Sequence, residues 1–244
     1  MRSLRIEDLD AAVVVSLGIM LPPEFIKIFS GNCINVHPSL LPKYRGPTPI
    51  STTLKMGEKE TGVSIMKINP QMDAGPLYSQ TKFAIHPEDD CDRLKEKMVK
   101  FGSALLETTL AQIEDHNIEL FAQDETKATY TKHIQKQDLT INWDEKAEEI
   151  ANKIRAYSSR PGCFSFYKHK RVKFLKASAV SSTQQLKPGS VTSIDKQKGF
   201  LIQCGNNSAL LVQKLQPEGK KPQEAIAFLH GYQLQPGDRF EARK

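Results

Sequence analysis

Asn35 and His37 stand two residues apart at the end of a short apolar run, in the string Asn35-Val36-His37-Pro38-Ser39-Leu40-Leu41-Pro42-Lys43-Tyr44-Arg45-Gly46. Side chains two apart on a strand share a face. An amide and an imidazole then point into one crevice. The amide offers an N–H at any pH, and the imidazole exchanges a proton near neutrality. Pro38 and Pro42 stop a continuing ladder or helix and stiffen the loop that leaves the strand. A polar pair at the carboxyl end of a parallel strand, followed by such a loop, is where open α/β sheets place their chemistry. Taken alone, the same pair also fits a loop pair bonded to nearby backbone.

The elements that must position this pair are legible as periodicity. Residues 11–18 read as a buried parallel strand ended by Gly18, and Pro22-Pro23-Glu24 opens a short helix running to about Phe29. Cys33 to Val36 is the strand that delivers Asn35 and His37, so the segment is a βαβ unit of a doubly wound sheet. A short helix over 47–56 and a strand over 61–68 follow. Asn69 to Gly75 is a tight loop with an acid, Asp73, at its apex, and 77–85 is a strand with one wet face. Leu94, Met98, Phe101, Leu105, Leu106, Leu110 and Ile113 recur at three and four, which predicts a long amphipathic helix from Asp89.

Residues 117–143 lose periodicity and read as a polar linker between a first domain, 1–116, and a second, 144–244. The second opens with a helix over 145–157. Short strands follow around 164–168, 172–179, 189–194, 199–204 and 208–215, with turn signals between them, then a short helix over 222–229 and a last strand after Pro236-Gly237-Asp238. Short strands at regular spacing predict a small barrel.

Charge divides the same way. The net charge is +6, yet residues 1–120 hold 13 Lys and Arg against 16 Asp and Glu, and residues 121–244 hold 21 against 12. A basic second half suits a polyanion such as RNA, or is simply a Lys-rich surface. Lys168, Lys170, Arg171, Lys173 and Lys176 fall in one strand pair and Lys220 and Lys221 follow a turn, a set that can grip phosphates. Tyr167 reads as core rather than as a stacking platform. The four cysteines are far apart, with no paired spacing and no His at ligand distance, which argues against zinc and against a disulfide framework. No apolar run approaches the ~20 residues a membrane helix needs. The first ten residues mix Arg2 and Arg5 with Glu7, Asp8 and Asp10, the pattern of neither a signal peptide nor a transit peptide.

The string around Asn35 and His37, with Glu60-Thr61-Gly62-Val63-Ser64-Ile65-Met66 and Met72-Asp73-Ala74-Gly75-Pro76-Leu77-Tyr78, resembles the folate-dependent formyltransferases. The second half resembles the C-terminal domain of methionyl-tRNA formyltransferases, in Tyr130-Thr131-Lys132-His133-Ile134, Ile141-Asn142-Trp143, Ile154-Arg155-Ala156-Tyr157, Arg160-Pro161-Gly162 and Leu215-Gln216-Pro217-Glu218-Gly219-Lys220-Lys221. Together the resemblance spans about residues 10–240.

The resemblance implies a partial doubly wound, Rossmann-like catalytic domain followed by a small OB-like β-barrel. It implies a triad of Asn35, His37 and Asp73, with Asn35 and His37 as oxyanion donors and Asp73 orienting His37 and taking up the amine proton. It maps folate contacts onto Ser39, Leu40, Leu41 and Pro42 and onto the turn holding Ile19, Met20 and Leu21. It implies 10-formyltetrahydrofolate as co-substrate, with no permanently bound cofactor and no metal, and methionyl-initiator tRNA as acceptor. Arg45, Lys168, Lys170, Arg171, Lys173, Lys220 and Lys221 are then the tRNA contacts, in a monomer of the mitochondrial matrix. In that family the catalytic domain starts well before the segment equivalent to Met1, so first strands and a tRNA-reading insertion are expected to be missing and a sheet edge open. Two further readings stay open: a formyltransferase with a small amine acceptor, which the basic second half disfavours, and a catalytically impaired, truncated RNA-binding module.

Overall fold

The computed structural model describes residues 9–18, 21–29, 32–158, 160–182, 184 and 186–242. They fall into two compact units. One holds residues through Thr53, Glu58–Pro87 and Arg93–His133; the other holds Leu54–Gly57, Glu88–Asp92 and Ile134 onward.

The first unit is built on a mixed sheet of order β1-β2-β3-β4, with β1 Ala12–Val15, β2 Cys33–His37, β3 Glu60–Lys67 and β4 Leu77–Ala84. Strands β1 and β2 are parallel, joined through α1, Pro23–Ile28, with Val14 opposite Asn35. The chain then reverses: β2 and β3 are antiparallel, as are β3 and β4, so only the first pair among the described strands has the doubly wound pattern. His37 lies opposite Ser64 and Asn35 opposite Met66. Six consecutive residues of β3 are buried, as a central strand covered on both faces demands. The long helix α3, Cys91–Glu114, covers the sheet: Gly102 seats against Val36 and Val63, and Thr109 shares a 2.6 Å hydroxyl hydrogen bond with Ser79. Helix α2 is Pro49–Lys55.

Residues 117–133, read from the sequence as part of a linker, are stitched to this unit. Phe121 and Leu77 exchange backbone hydrogen bonds of 2.8 and 2.9 Å, and Arg45 exchanges backbone bonds with Thr129 and Thr131. A low-periodicity segment held by such pairs leaves no hydrophobic pattern for sequence to show.

The second unit carries an antiparallel sheet of order β5-β6-β9-β8-β7, with the two-residue β10 on β9. Its strands are β5 Cys163–Tyr167, β6 Lys170–Ser181, β7 Val191–Asp195, β8 Gly199–Cys204, β9 Ser208–Pro217 and β10 Gln223–Glu224; α4, Ala147–Ala156, precedes them. In place of a last strand, Arg239 and Glu241 make isolated bridges to Ser190, beside β7, and to Phe166 of β5. The helix expected over 222–229 is α5, Ala225–Tyr232, because Gln223 and Glu224 first pair with β9; it runs through Gly231 and ends at Gln233, which has φ +49°. Trp143, Phe174, Phe200, Phe228 and Phe240 form an aromatic core, joined by Tyr167, which is buried and donates its hydroxyl to Asp238 at 2.8 Å.

No described helix is long and apolar enough to cross a membrane.

Candidate active site

Strand β2 ends with Asn35 half-buried and His37 only 4% exposed, on one side of the strand as alternation requires. The loop between β3 and β4 brings Asp73 to them. Asn35 Nδ2 donates to Asp73 Oδ1 at 3.4 Å, and His37 Nδ1 lies 3.6 Å from Asp73 Oδ2. The backbone N–H of Gly46 donates to the same Oδ2 at 2.7 Å. The three residues named from the sequence therefore meet.

The loop that carries Asp73 is tightly bent. Asp73 has φ +49°, a conformation that non-glycine residues seldom adopt. Gly75 lies so close to β3 that an added Cβ would sit 1.7 Å from the carbonyl oxygen of Lys67, so only glycine passes there.

The imidazole orientation is set by backbone. Its Nε2 lies 3.0 Å from the carbonyl oxygen of Tyr44. A carbonyl only accepts, so Nε2 carries the proton and Nδ1 is the free nitrogen of the neutral ring. Burial pushes the His37 pKa below its ordinary value, against the opposing pull of Asp73 and of the Tyr44 carbonyl. The neutral ring is thus the favoured form near pH 7, with its lone pair on the Asp73 side. The Nε2 proton is occupied by Tyr44 and is not the free oxyanion donor expected from the sequence.

The Ser39–Pro42 loop is held from beneath. Ser64 Oγ donates to Ser39 O at 2.6 Å and accepts from Leu41 N at 3.1 Å and from Gln80 Nε2 at 2.8 Å. Ser39 is fully buried and its hydroxyl donates to Lys43 O at 2.7 Å. Leu41 is 4% exposed and clusters with Met66 and Leu77, and its carbonyl accepts from Gln80. The side chains of Ser39 and Leu41 thus point inward and anchor the loop, which leaves only their backbone for the expected contact with folate. Leu40 and Pro42 are half-buried, as is Leu21. Ile19 and Met20 lie outside the described residues.

Arg45 is also corrected. It is fully buried, its guanidinium forked on Glu125 at 2.7 and 2.9 Å, so it cannot reach a nucleic acid. The family resemblance had placed it among the tRNA contacts; its carboxylate partner lies eighty positions away in a stretch without periodicity. The remaining basic residues belong to the second unit. Lys168 and Lys170 are exposed at the β5–β6 turn, Arg171 and Lys173 are half-buried on β6, and Lys220 and Lys221 are exposed just beyond β9. Strand pairing sets Val172 opposite Pro217, and Glu218 N donates to Arg171 O at 2.9 Å, so all six gather at one end of that sheet. Among the described residues no group of three or more His, Cys, Asp or Glu is arranged to hold a metal ion.

An amide donor, a neutral imidazole and a carboxyl group converging beside a stiff loop form a site suited to proton transfer and to stabilising an oxyanion, the needs of acyl transfer. Comparison with known proteins gives the particular family. The formyl transferase profile matches residues 1–110, and the formyl transferase C-terminal domain profile matches residues 133–233. A methionyl-tRNA formyltransferase of Dictyoglomus thermophilum is 39% identical over 234 residues, covering 95% of this chain and 75% of that protein. One from Coxiella burnetii is 37% identical over 230 residues, covering 93% and 73%. The chain belongs to the formyl transferase family. In fold it is similar to HypX from Aquifex aeolicus, solved in complex with tetrahydrofolic acid, with a TM-score of 0.69 at 16% identity over 95% of this chain and 42% of that one.

Proposed function

We propose that this protein transfers the formyl group of 10-formyltetrahydrofolate to the amino group of methionyl-initiator tRNA. The observation that carries the reading is the meeting of Asn35, His37 and Asp73, in a chain whose 36–39% identical relatives are named methionyl-tRNA formyltransferases. The co-substrate supplies an activated formyl carbon with a nitrogen leaving group. As the amine attacks, the formyl oxygen gains charge, and the free N–H of the Asn35 amide is the donor at hand. The amine proton passes to the His37 Nδ1–Asp73 pair, directly or through water. It is then available to the departing folate nitrogen as the tetrahedral centre collapses.

The second unit is read as an OB-like barrel, the bridges at Arg239 and Glu241 linking its two edges. Its basic end is the surface for tRNA phosphates, a role that positions without reading sequence. A small amine acceptor would leave that surface without a purpose.

The test is formylation of methionyl-tRNA by the purified chain with labelled 10-formyltetrahydrofolate, beside His37→Ala and Asp73→Ala. Turnover that needs charged tRNA and is lost in both variants supports the reading. Equal formylation of a free amino sugar, or undiminished turnover by either variant, overturns it.

A further inference from the structure

We infer that Gln123, oriented by Arg45, is a positioning residue for Asp73. Gln123 Nε2 donates to the carbonyl oxygens of Asp73 at 2.8 Å and of Gly75 at 2.7 Å, so both its hydrogens grip the bend that presents the carboxyl group. Its Oε1 accepts from Arg45 Nε at 3.1 Å and from Arg45 Nη2 at 2.8 Å. A guanidinium only donates, so the amide can face the loop in one sense alone. Arg45 spends its other N–H groups on Glu125 and on the Tyr130 hydroxyl, at 3.1 Å.

This arrangement holds Asp73 at both ends from one segment. The Arg45 side chain fixes Gln123, which holds the Asp73 carbonyl. The next backbone N–H, that of Gly46, holds Asp73 Oδ2. Asp73 lies at φ +49°, a left-handed conformation that Asp tolerates better than most non-glycine residues, and these bonds from outside the loop fix it there. The result is a carboxyl group set 3.4 Å from Asn35 Nδ2 and 3.6 Å from His37 Nδ1. A displacement of about 1 Å at such a site costs on the order of 10²-fold in rate.

The inference rests on the proposed role of Asp73, so Asp73→Ala accompanies the test. Gln123→Glu keeps the shape and the contact with Arg45 and removes both donors to the loop. Its expected effect is a fall in kcat of about 10- to 100-fold, with KM for both substrates within about threefold, and a displaced acid limb of the kcat–pH profile. Leu94→Ala, a buried change in α3, is the control for general destabilisation and leaves the limb in place. Arg45→Lys, which keeps a charge for Glu125 and loses the fork on Gln123, gives the same kcat-specific loss and serves where Gln123→Glu does not fold. Wild-type kcat and pH profile in the folded variant, with Asp73→Ala inactive, overturn the inference and leave the proposed function standing. Full turnover by Asp73→Ala overturns the role of Asp73 itself, and the inference with it.

Discussion

The proton of His37 Nε2 is committed to the carbonyl of Tyr44 at 3.0 Å, a geometry that leaves Nδ1 as the nitrogen facing Asp73. Tyr44 itself has φ +62°, and its hydroxyl is tied to Glu58 at 2.6 Å, which holds the carbonyl in place. Burial lowers the His37 pKa in the folded chain. The unfolded chain therefore binds the proton more readily, and stability rises with pH wherever the two states differ. The contribution is complete above the unfolded value of about 6.5 and is lost as pH falls below it toward the folded value. Below pH ~6.5 the unfolding free energy of the wild type is expected to fall more steeply with acid than that of His37→Asn, by up to about 1.4 kcal/mol per pH unit. Under the proposed function catalysis follows the same group. Turnover should be flat from neutrality down to pH ~6.5 and fall only on the acid side. A midpoint above pH 7 in stopped formylation assays would contradict this assignment.

Under the proposed function Asn35 offers the donor for the developing oxyanion, and its only described side-chain bond is the long one to Asp73. Removing one such donor costs about 10²- to 10³-fold in kcat. Asn35→Ala and Asn35→Asp should both show that loss, the second because a carboxylate donates nothing. The thermal midpoint should move little for Asn35→Ala, since the residue is only half-buried. Steady-state kinetics beside a melting curve separates the two effects, and a kcat within threefold of wild type would remove Asn35 from the mechanism.

Ser64 is the underside of the loop after β2. Its one hydroxyl serves Ser39, Leu41 and Gln80 together. Ser64→Ala leaves a buried carbonyl and a buried N–H without a partner, each costing about 1–3 kcal/mol. Chemical denaturation should register a loss of at least ~1 kcal/mol, and KM for 10-formyltetrahydrofolate should rise, because Leu40 and Pro42 lose their support. Unchanged KM in a folded variant would argue that the loop does not meet the folate.

Part of the candidate trio was legible in local signals: a period of two puts Asn35 and His37 on one face, and Asp73 stands in a loop with Pro70 and Gly75 around it. That the three belong together came from the family resemblance, because no local pattern links a loop acid to a strand thirty-six positions before it. What holds the trio was not legible. Gln123 and Glu125 sit in a polar stretch whose order comes from hydrogen bonds to distant backbone, and such bonds leave no periodicity. The burial of Arg45 was hidden for the same reason, since its partner Glu125 lies in that stretch. The reversal at β3 was equally hidden, because a strand buried on both faces reads alike in parallel and antiparallel sheets. In the second unit, Asn206 and Asn207 marked a hairpin by type, with φ of +53° and +51°. The β5–β6 turn did not, because Lys168 and His169 adopt the same left-handed backbone without the residues that favour it.

That unusual turn gives the last prediction. Lys168 and His169, at φ +47° and +63°, make the short connection that places exposed Lys168, its ammonium 5.1 Å over the Tyr167 ring, and Lys170 at the sheet end, where Lys220 and Lys221 also stand exposed. Long side chains gathered there neutralise phosphates and release counterions, so binding depends on salt in proportion to the number of phosphates neutralised. Replacing these four lysines by glutamine should raise KM for methionyl-tRNA at least about tenfold near 0.15 M salt and flatten the log–log dependence of affinity on salt by up to about 3.6, roughly 0.9 for each phosphate no longer neutralised. Turnover at saturating tRNA should hold, because none of the four approaches His37 in sequence or lies in its unit. The same change at Lys187, Lys196 and Lys198, exposed elsewhere on the second unit, removes charge without removing the cluster and should alter the slope far less. Equal effects of the two sets would mean that net charge alone draws the tRNA, and that this end of the sheet is no docking surface.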